Sequence, residues 1–117
     1  MLFRSWDSLS ADAKRLYARQ MEVYAAFLEQ TDHHIGRVVH FLEEIGELDN
    51  TLIFAASDNG ASSEGGVHGS FNELQFPNRI EATVEQNLKH LDSWGSVTSY
   101  PNYSWGWAWA EIGRAHV

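Results

Sequence analysis

The chain has 117 residues, enough for one domain that buries roughly 65% of its unfolded surface. Its 44% hydrophobic and 21% charged content argues against intrinsic disorder. Eight basic residues face sixteen acidic ones, giving a net charge of -8, so nucleic acid is not an expected partner. Disulfides and thiolate chemistry are excluded because cysteine is absent. The sequence predicts neither a membrane span nor a signal peptide at its start.

A long amphipathic helix is predicted for residues 10–45. Apolar side chains recur at alternating spacings of four and three, which indicates one helical face. Ser10 is the expected N-cap, and Gly46 is the expected left-handed residue of a Schellman ending. A break near Thr31 stays open because the helix is long. Core packing and a coiled-coil dimer both explain the apolar stripe. The stripe consists of Tyr17, Met21, Tyr24, Leu28, Thr31, Ile35, Val38, Leu42 and Ile45.

A buried β-strand is predicted for residues 51–57, TLIFAAS. The run is apolar on both faces, which is typical of a central parallel strand covered on both sides. No later run is of comparable strength, although such a strand needs neighbours for its backbone groups. We therefore expect it to belong to a larger α/β sheet.

A turn-rich loop and a second helix are predicted after the strand. The loop is rich in glycine between residues 60 and 69, and loops of this length are either functional or disordered. The helix is expected over residues 84–94, with Thr83 as its N-cap and Gln86 completing a capping box.

The predicted strand ends on Asp58, Asn59 and Gly60. In open parallel sheets, ligands bind outside the carboxyl ends of the strands. Carboxylate and amide oxygens suit Ca²⁺ or Mg²⁺, but Ca²⁺ takes about 6 to 8 oxygens and this pair supplies about two or three. On spacing alone, an Asx-turn that merely ends the strand is the alternative.

An ordered set of short motifs resembles the sulfatase family, in particular the bacterial arylsulfatases of the alkaline-phosphatase-like superfamily. The motifs are Met21-Glu22-x-Tyr24-Ala25, Thr31-Asp32-x-x-Ile35-Gly36, Asp49-Asn50-Thr51, Ser57-Asp58-Asn59-Gly60, and later FNEL and YPNYSWGWAWA. The resemblance covers most of residues 6–110. Residues 1–110 are accordingly expected to be part of a sulfatase catalytic domain.

The resemblance implies a sulfuric ester hydrolase with an alkaline-phosphatase-like α/β fold. This chain would supply a long helix, a buried strand, a metal loop and a second helix. In such enzymes a formylglycine attacks the sulfur while a calcium ion holds the sulfate oxygens, and Mg²⁺ is the alternative cation. By position, Asp58 and Asn59 correspond to two of the metal ligands. The implied partner is a small-molecule or carbohydrate sulfate ester, whereas compartment and oligomeric state are not implied.

The sequence departs from the family at the nucleophile. The motif Cys or Ser followed by x-Pro-x-Arg is absent, since Pro77 and Pro101 stand in other contexts. The remaining metal ligands and the lysine and histidine that contact the sulfate are also missing. We therefore expect no catalytic residue in this chain, no turnover by it alone, and calcium binding on the order of millimolar or weaker. Two alternatives stay open: a phosphodiester or phosphonate ester hydrolase of the same superfamily, and a non-enzymatic helical dimerisation module.

The histidines and tryptophans are interpreted structurally. His33, His34 and His40 are expected at solvated positions of the long helix, because adjacent residues point to different faces. His68 is expected to be a loop residue, with an approach to substrate as the alternative. The cluster of Trp105, Trp107 and Trp109 is expected to pack near the pocket, and a platform for a carbohydrate or aryl group is the alternative.

The last seven residues, EIGRAHV, do not continue the family pattern. They can be encoded by GAGATCGGAAGAGCACACGTC, which is similar to a widely used sequencing-adapter sequence. We expect residues 111–117 to be an artefact of this kind and Met1 to be an internal start.

Overall fold

The computed structural model describes residues 6–56 and 64–104. Two α-helices lie in these ranges, α1 (Ala11–Glu44) and α2 (Val84–Leu88). Among the described residues, neither helix has the length and apolar character needed to cross a bilayer. Short 3₁₀ turns cover Trp6–Ser8, Leu48–Asn50, Glu73–Gln75 and Leu91–Ser93.

The predicted long helix is confirmed, and α1 is continuous. Its N-cap is Ser10, whose hydroxyl accepts the Ala13 N–H at 3.2 Å. No break occurs near Thr31, and the Thr31 hydroxyl donates to the Phe27 carbonyl one turn earlier at 2.8 Å. The helix thus satisfies this polar side chain along its own backbone.

The predicted Schellman ending of α1 is also confirmed. Gly46 adopts a φ of 73°, in the left-handed region that glycine enters without steric cost. The Glu47 N–H donates to the Leu42 carbonyl at 2.9 Å, and the Gly46 N–H donates to the Glu43 carbonyl at 3.0 Å. These two hydrogen bonds satisfy carbonyls that would otherwise lack partners at the helix end.

The chain divides into two units, which are described separately. The first comprises Met1–Val23 and Asn59–Val117, and the second comprises Tyr24–Asp58. The first unit contains a small core built on Leu16, Leu91 and Trp94. Partly buried side chains packed against this core are Tyr17, Val23, Phe71, Val84, Leu88 and Tyr103.

The buried face at the start of α1 differs from the predicted stripe. Ala13, Leu16 and Gln20 are buried, whereas Met21, which the stripe placed inside, is 36% exposed. Leu16 is the residue of this turn that enters the core cluster, and it lies outside the predicted stripe. The apolar periodicity therefore identified the helix but not the face that the first unit buries.

The second predicted helix is shorter than expected. Its capping box is confirmed: Thr83 Oγ1 accepts the Gln86 N–H at 3.2 Å, and Gln86 Oε1 accepts the Thr83 N–H at 3.0 Å. After Leu88, the hydrogen bonds tighten to the i→i−3 pattern, as in Lys89 N–H to the Gln86 carbonyl at 3.3 Å. The remainder of the predicted helix becomes the 3₁₀ turn around Leu91.

The second unit has no buried residue among its described positions, 24–56. Ile35 and Val38 on α1, and Ile45 directly after its last residue, each expose more than half of their surface. The C-terminal part of the predicted stripe is thus an exposed apolar face. We call the side chains Leu28, Ile35, Val38 and Ile45 the exposed face of α1.

The predicted buried strand differs from the structure. Residues 51–56 form no strand, and Leu52 and Phe54 are 94% and 88% exposed. Within the described ranges, the β-bridges are the isolated pairs Ser70–Asn102 and Asn72–Tyr100. A strand covered on both faces needs neighbours that the described residues do not supply, so the sheet stays a prediction.

Candidate functional site

The predicted metal pair, Asp58 and Asn59, lies outside the described residues, as does the cluster Trp105, Trp107 and Trp109. Their geometry therefore stays a prediction. What the pair offers is the chemistry of its donors, one carboxylate and one amide oxygen, which fit a hard cation such as Ca²⁺ or Mg²⁺. In the described part of the chain, no group of three or more histidine, cysteine, aspartate or glutamate side chains could hold a metal ion.

The described chain resumes after the predicted metal loop in a segment of tight backbone contacts. A Cβ at Gly65 would overlap the carbonyl of Tyr103. Gly69 has a φ of 72°, and a Cβ there would lie 2.8 Å from the Asn102 carbonyl oxygen. Both positions therefore require glycine, because residues 102–104 pass so close to them.

His68 is the centre of a polar cluster in this segment. Its ring Nδ1 lies 2.6 Å from the Tyr17 hydroxyl, and the two rings stack with centroids 6.3 Å apart. The predicted interpretation as a plain loop residue is thus incomplete. The histidine is half-buried and held by α1.

Two buried amide side chains hold the backbone at the same place. Gln20 Nε2 donates to the His68 carbonyl at 2.9 Å. Asn87 Nδ2 lies 3.0 Å from the Gly69 carbonyl and 3.3 Å from that of His68, while Asn87 Oδ1 accepts the Phe71 N–H at 3.2 Å. We call Gln20 and Asn87, with these hydrogen bonds, the amide clamp.

Sequence reasoning missed the amide clamp. The available signal was Gln20, a polar residue four positions after Leu16 and therefore on the same helical face. A polar side chain on a buried face needs a specific partner. Recognising it required the correct buried face of α1, which the predicted stripe did not give.

An aromatic cluster lies beside the amide clamp in the first unit. Phe71 stacks on His90 with centroids 4.4 Å apart, and it contacts Trp94 edge-on at 6.0 Å. Tyr103 lies against Trp94 with centroids 6.4 Å apart, and burial raises the pKa of its hydroxyl above the ordinary value. This cluster packs the core of the first unit.

The helix histidines occupy exposed positions, as predicted. His33 and His34 are exposed, and His34 Nδ1 lies 3.2 Å from Arg37. His40 lies 3.4 Å from the carboxylates of Glu43 and Glu44. These are surface contacts of one helix, which contribute little to stability.

Comparison with known proteins identifies the family. The sequence profile of the sulfatase family matches residues 4–101. An uncharacterized sulfatase of Schizosaccharomyces pombe is 40% identical over 112 residues, which are 96% of this chain and 19% of that protein. An arylsulfatase of Klebsiella aerogenes is 30% identical over 109 residues, which are 87% of this chain and 24% of that protein.

Shorter matches point in the same direction. An N-acetylglucosamine-6-O-sulfatase of Bacteroides thetaiotaomicron is 44% identical over 57 residues, covering 49% of this chain and 10% of that protein. No solved structure matches. The chain spans about a fifth to a quarter of the length of its two longest matches. The profile match and these relatives show that the chain belongs to the sulfatase family.

Proposed function

We propose that this chain is part of an arylsulfatase-like enzyme that hydrolyses sulfate esters, and that Asp58 and Asn59 are two ligands of its calcium site. The observation that carries the proposal is the family match over residues 4–101, which encloses the motif Ser57-Asp58-Asn59-Gly60. The two donor types fit the cation, because both present hard oxygens. Mg²⁺ is the alternative ion.

In the proposed enzyme, the cation, its two ligands and the nucleophile would each have a separate role. A bound Ca²⁺ would supply Lewis-acid polarisation and positioning of the sulfate oxygens. Asp58 would contribute the anionic oxygen and Asn59 the neutral one, which limits repulsion of the anionic substrate. The nucleophile, a formylglycine derived from cysteine or serine, would come from outside residues 1–117. This chain alone is accordingly expected to be inactive.

The proposed substrate is a sulfate ester of a carbohydrate or another small molecule. The relatives named for a substrate differ widely, since one is an N-acetylglucosamine-6-O-sulfatase and another is the human steryl-sulfatase, 36% identical over 60 residues. A phosphodiester or phosphonate ester is the alternative substrate within the superfamily. The ester class therefore has to be measured and not inferred from the relatives.

The fold proposed for the longer protein is an alkaline-phosphatase-like α/β sheet. Residues 51–56 would be one of its strands, and the exposed face of α1 would pack against the same domain. One support is the exposure of Leu52 and Phe54, which are apolar side chains without a covering surface in the described residues. The other is the length of the relatives, because the matched region is only 19% and 24% of two of them.

The experiment uses the longer reading frame, expressed with its formylglycine-generating partner. Asp58→Ala is expected to lower kcat/KM for an aryl sulfate by about 100-fold or more, since metal polarisation is worth several kcal/mol. Asp49→Ala is the matched control, because Asp49-Asn50 is a second, exposed Asp-Asn pair on the same chain. Equal loss in both variants, or none in Asp58→Ala, would remove the metal assignment.

The same preparation separates the ester classes. Faster turnover of an aryl phosphodiester than of the aryl sulfate would replace the sulfatase activity by that of a phosphodiester hydrolase. A reading frame without a Cys- or Ser-x-Pro-x-Arg motif would leave the chain without an enzymatic nucleophile.

One observation favours a second function, a helical dimerisation module. The exposed face of α1 is an apolar surface long enough to pair with a second copy. Light scattering on the 117-residue chain tests it: a concentration-dependent dimer that is abolished by Val38→Lys would support dimerisation. A monomer at all concentrations would exclude it.

A further inference from the structure

Residues 51–56, TLIFAA, are all exposed to solvent. Leu52 and Phe54 are 94% and 88% exposed, and Ile53 between them is 51% exposed. Single exposed apolar side chains are common on protein surfaces. Several in succession are unusual, because they keep a contiguous apolar surface in contact with water. A run of this kind indicates an interaction surface.

The backbone of the same segment also has unused hydrogen-bonding groups. The segment is anchored at its start, where the Thr51 N–H donates to the Leu48 carbonyl at 3.2 Å and the Thr51 hydroxyl donates to the Glu47 carbonyl at 2.7 Å. Beyond this anchor, no backbone hydrogen bond joins residues 52–56 to another segment of the described structure. Unpaired N–H and C=O groups of this kind are a template on which another chain can pair.

The partner of this surface has to be another extended segment. A helix uses its own N–H and C=O groups internally, so α1 cannot supply the missing hydrogen bonds. Alternate side chains of a strand point to opposite faces, so the segment needs apolar cover on both sides. Residues 51–56 contain no charged residue, no proline and no glycine, which is typical of segments that stack with identical copies.

Charge permits pairing with a second copy, although the chain carries a net charge of -8. The nearest charged residues in the sequence are Asp49 and Asp58, which lie outside the segment. Pairing two copies of the segment therefore buries no charge. At physiological ionic strength, repulsion between the flanking carboxylates is screened beyond about 8 Å. A partner segment that carried lysine or arginine would instead lose the hydration of its charge.

We propose that residues 51–56 are a self-association surface, on which a second copy of the chain pairs as a β-strand and further copies extend the pairing into a cross-β assembly. The inference is independent of the proposed metal pair, because neither Asp58 nor Asn59 takes part in it. It also differs from the helical dimerisation module, whose contacts would lie on the exposed face of α1. In the proposed longer protein, neighbouring strands of the sheet would occupy the same backbone groups.

The test follows assembly of the 117-residue chain by light scattering, as a function of time and protein concentration. Leu52→Lys puts a charge into the segment. Val97→Lys is the matched control, because both residues are 94% exposed and neither change removes packing. We expect Leu52→Lys to raise the concentration needed for assembly at least about tenfold, since a leucine leaves the interface and a charge enters it. We expect Val97→Lys to assemble like the unmodified chain.

A pair of changes at Ala55 tests the pairing of the backbone. Ala55→Pro keeps the segment apolar but removes one N–H donor, so it should abolish assembly. Ala55→Val raises the preference for strand conformation, so it should assemble sooner than the unmodified chain. The assembled chain should show slow hydrogen exchange at residues 52–56 and a fibre-diffraction repeat of about 4.7–4.8 Å.

Several results would overturn the proposal. A chain that stays monomeric from micromolar to millimolar concentrations would have no self-association surface. Equal behaviour of Leu52→Lys and Val97→Lys would assign assembly to net charge and not to the segment. Assembly that is abolished by Val38→Lys but unaffected by Leu52→Lys would place the contact on the exposed face of α1. None of these results bears on the metal pair, which Asp58→Ala tests in the longer protein.

Discussion

The two units of the chain differ in what they bury. The first unit encloses Leu16, Leu91 and Trp94, and it satisfies its loop backbone with buried amides. The second unit, whose described residues are 24–56, buries no residue although it contains the most apolar run of the sequence. Each unit contains a well-formed helix end, because residues close together in the sequence are sufficient to specify where a helix begins or ends. The difference teaches that apolar patterning predicts an element, whereas burial also requires a partner surface.

The largest expected effect is at the core of the first unit. Trp94 is 1% exposed, and Trp94→Ala should cost about 3–5 kcal/mol through lost contacts and a cavity. In a domain with so small a core, loss of cooperative thermal unfolding is the expected result in near-UV circular dichroism. Phe41→Ala in the second unit, where the ring is 56% exposed, should change stability by less than about 0.5 kcal/mol. Equal effects would erase the contrast between the units.

The same contrast explains what could be predicted from sequence. The N-cap at Ser10, the left-handed Gly46 and the Thr83–Gln86 capping box depend on neighbours within a few residues, and all three were predicted correctly. The buried Gln20 side chain donates to the carbonyl of His68, which lies 48 positions away in the sequence, and the apolar periodicity of a helix carries no information about so distant a partner.

The candidate site likewise has one part that the local sequence predicts and one part that it does not. Asp58 and Asn59 could be named from the motif at the end of the predicted strand, and they lie outside the described residues. The Tyr17–His68 hydrogen bond joins residues 51 positions apart, so no local signal identifies it. Its discovery required the fold of the first unit.

A smaller effect is expected at the start of α2. Thr83→Ala removes the hydroxyl that accepts the Gln86 N–H, and it should lower the free energy of unfolding by about 1 kcal/mol. Thr31→Ala, within α1 of the second unit, should be neutral or slightly stabilising, because alanine has the higher helix propensity. Urea unfolding followed by circular dichroism measures both variants, and a cost for Thr31→Ala similar to that for Thr83→Ala would contradict this interpretation.

Backbone strain gives a pair of opposite predictions, one in each unit. Arg79 has a φ of 55°, which is unfavourable for a residue with a Cβ, so Arg79→Gly should stabilise the first unit by about 0.5–1 kcal/mol. Gly46→Ala should destabilise the second by a similar amount, about 1 kcal/mol. Space is not the cause at Gly46, since a Cβ there would meet nothing within 4 Å. The midpoints of urea unfolding should therefore move in opposite directions.

Alkaline pH should weaken the first unit through Tyr103. Burial raises the pKa of its hydroxyl above 10.0 in the folded chain, so the unfolded chain loses this proton first. Below the pKa of the unfolded chain, the hydroxyl is protonated in both states and the free energy of unfolding is at its full value. That free energy falls as the pH rises from there through the folded-state pKa. Tyr103→Phe should reduce this fall in thermal unfolding measured at several pH values. Tyr100→Phe, at a residue that is 62% exposed, is the control and should leave the fall in place.

The smallest expected effect is on the exposed face of α1, and it tests the second unit directly. Valine and serine have similar helix propensities, so Val38→Ser measures burial alone. Val38 is 61% exposed, and the change should cost less than about 0.5 kcal/mol in this chain. Val23→Ser is the matched variant in the first unit, where Val23 packs against the core and a loss of about 1–2 kcal/mol is expected.

The comparison of these two valines decides what covers the exposed face of α1. If Val38→Ser costs as much as Val23→Ser, and the cost grows with protein concentration, a second copy of the chain covers the face. If Val38→Ser is neutral here but costs about 1.5–3 kcal/mol in the longer protein, the rest of the sulfatase domain covers it. The second result is the one expected, because the matched relatives extend far beyond the region that this chain spans.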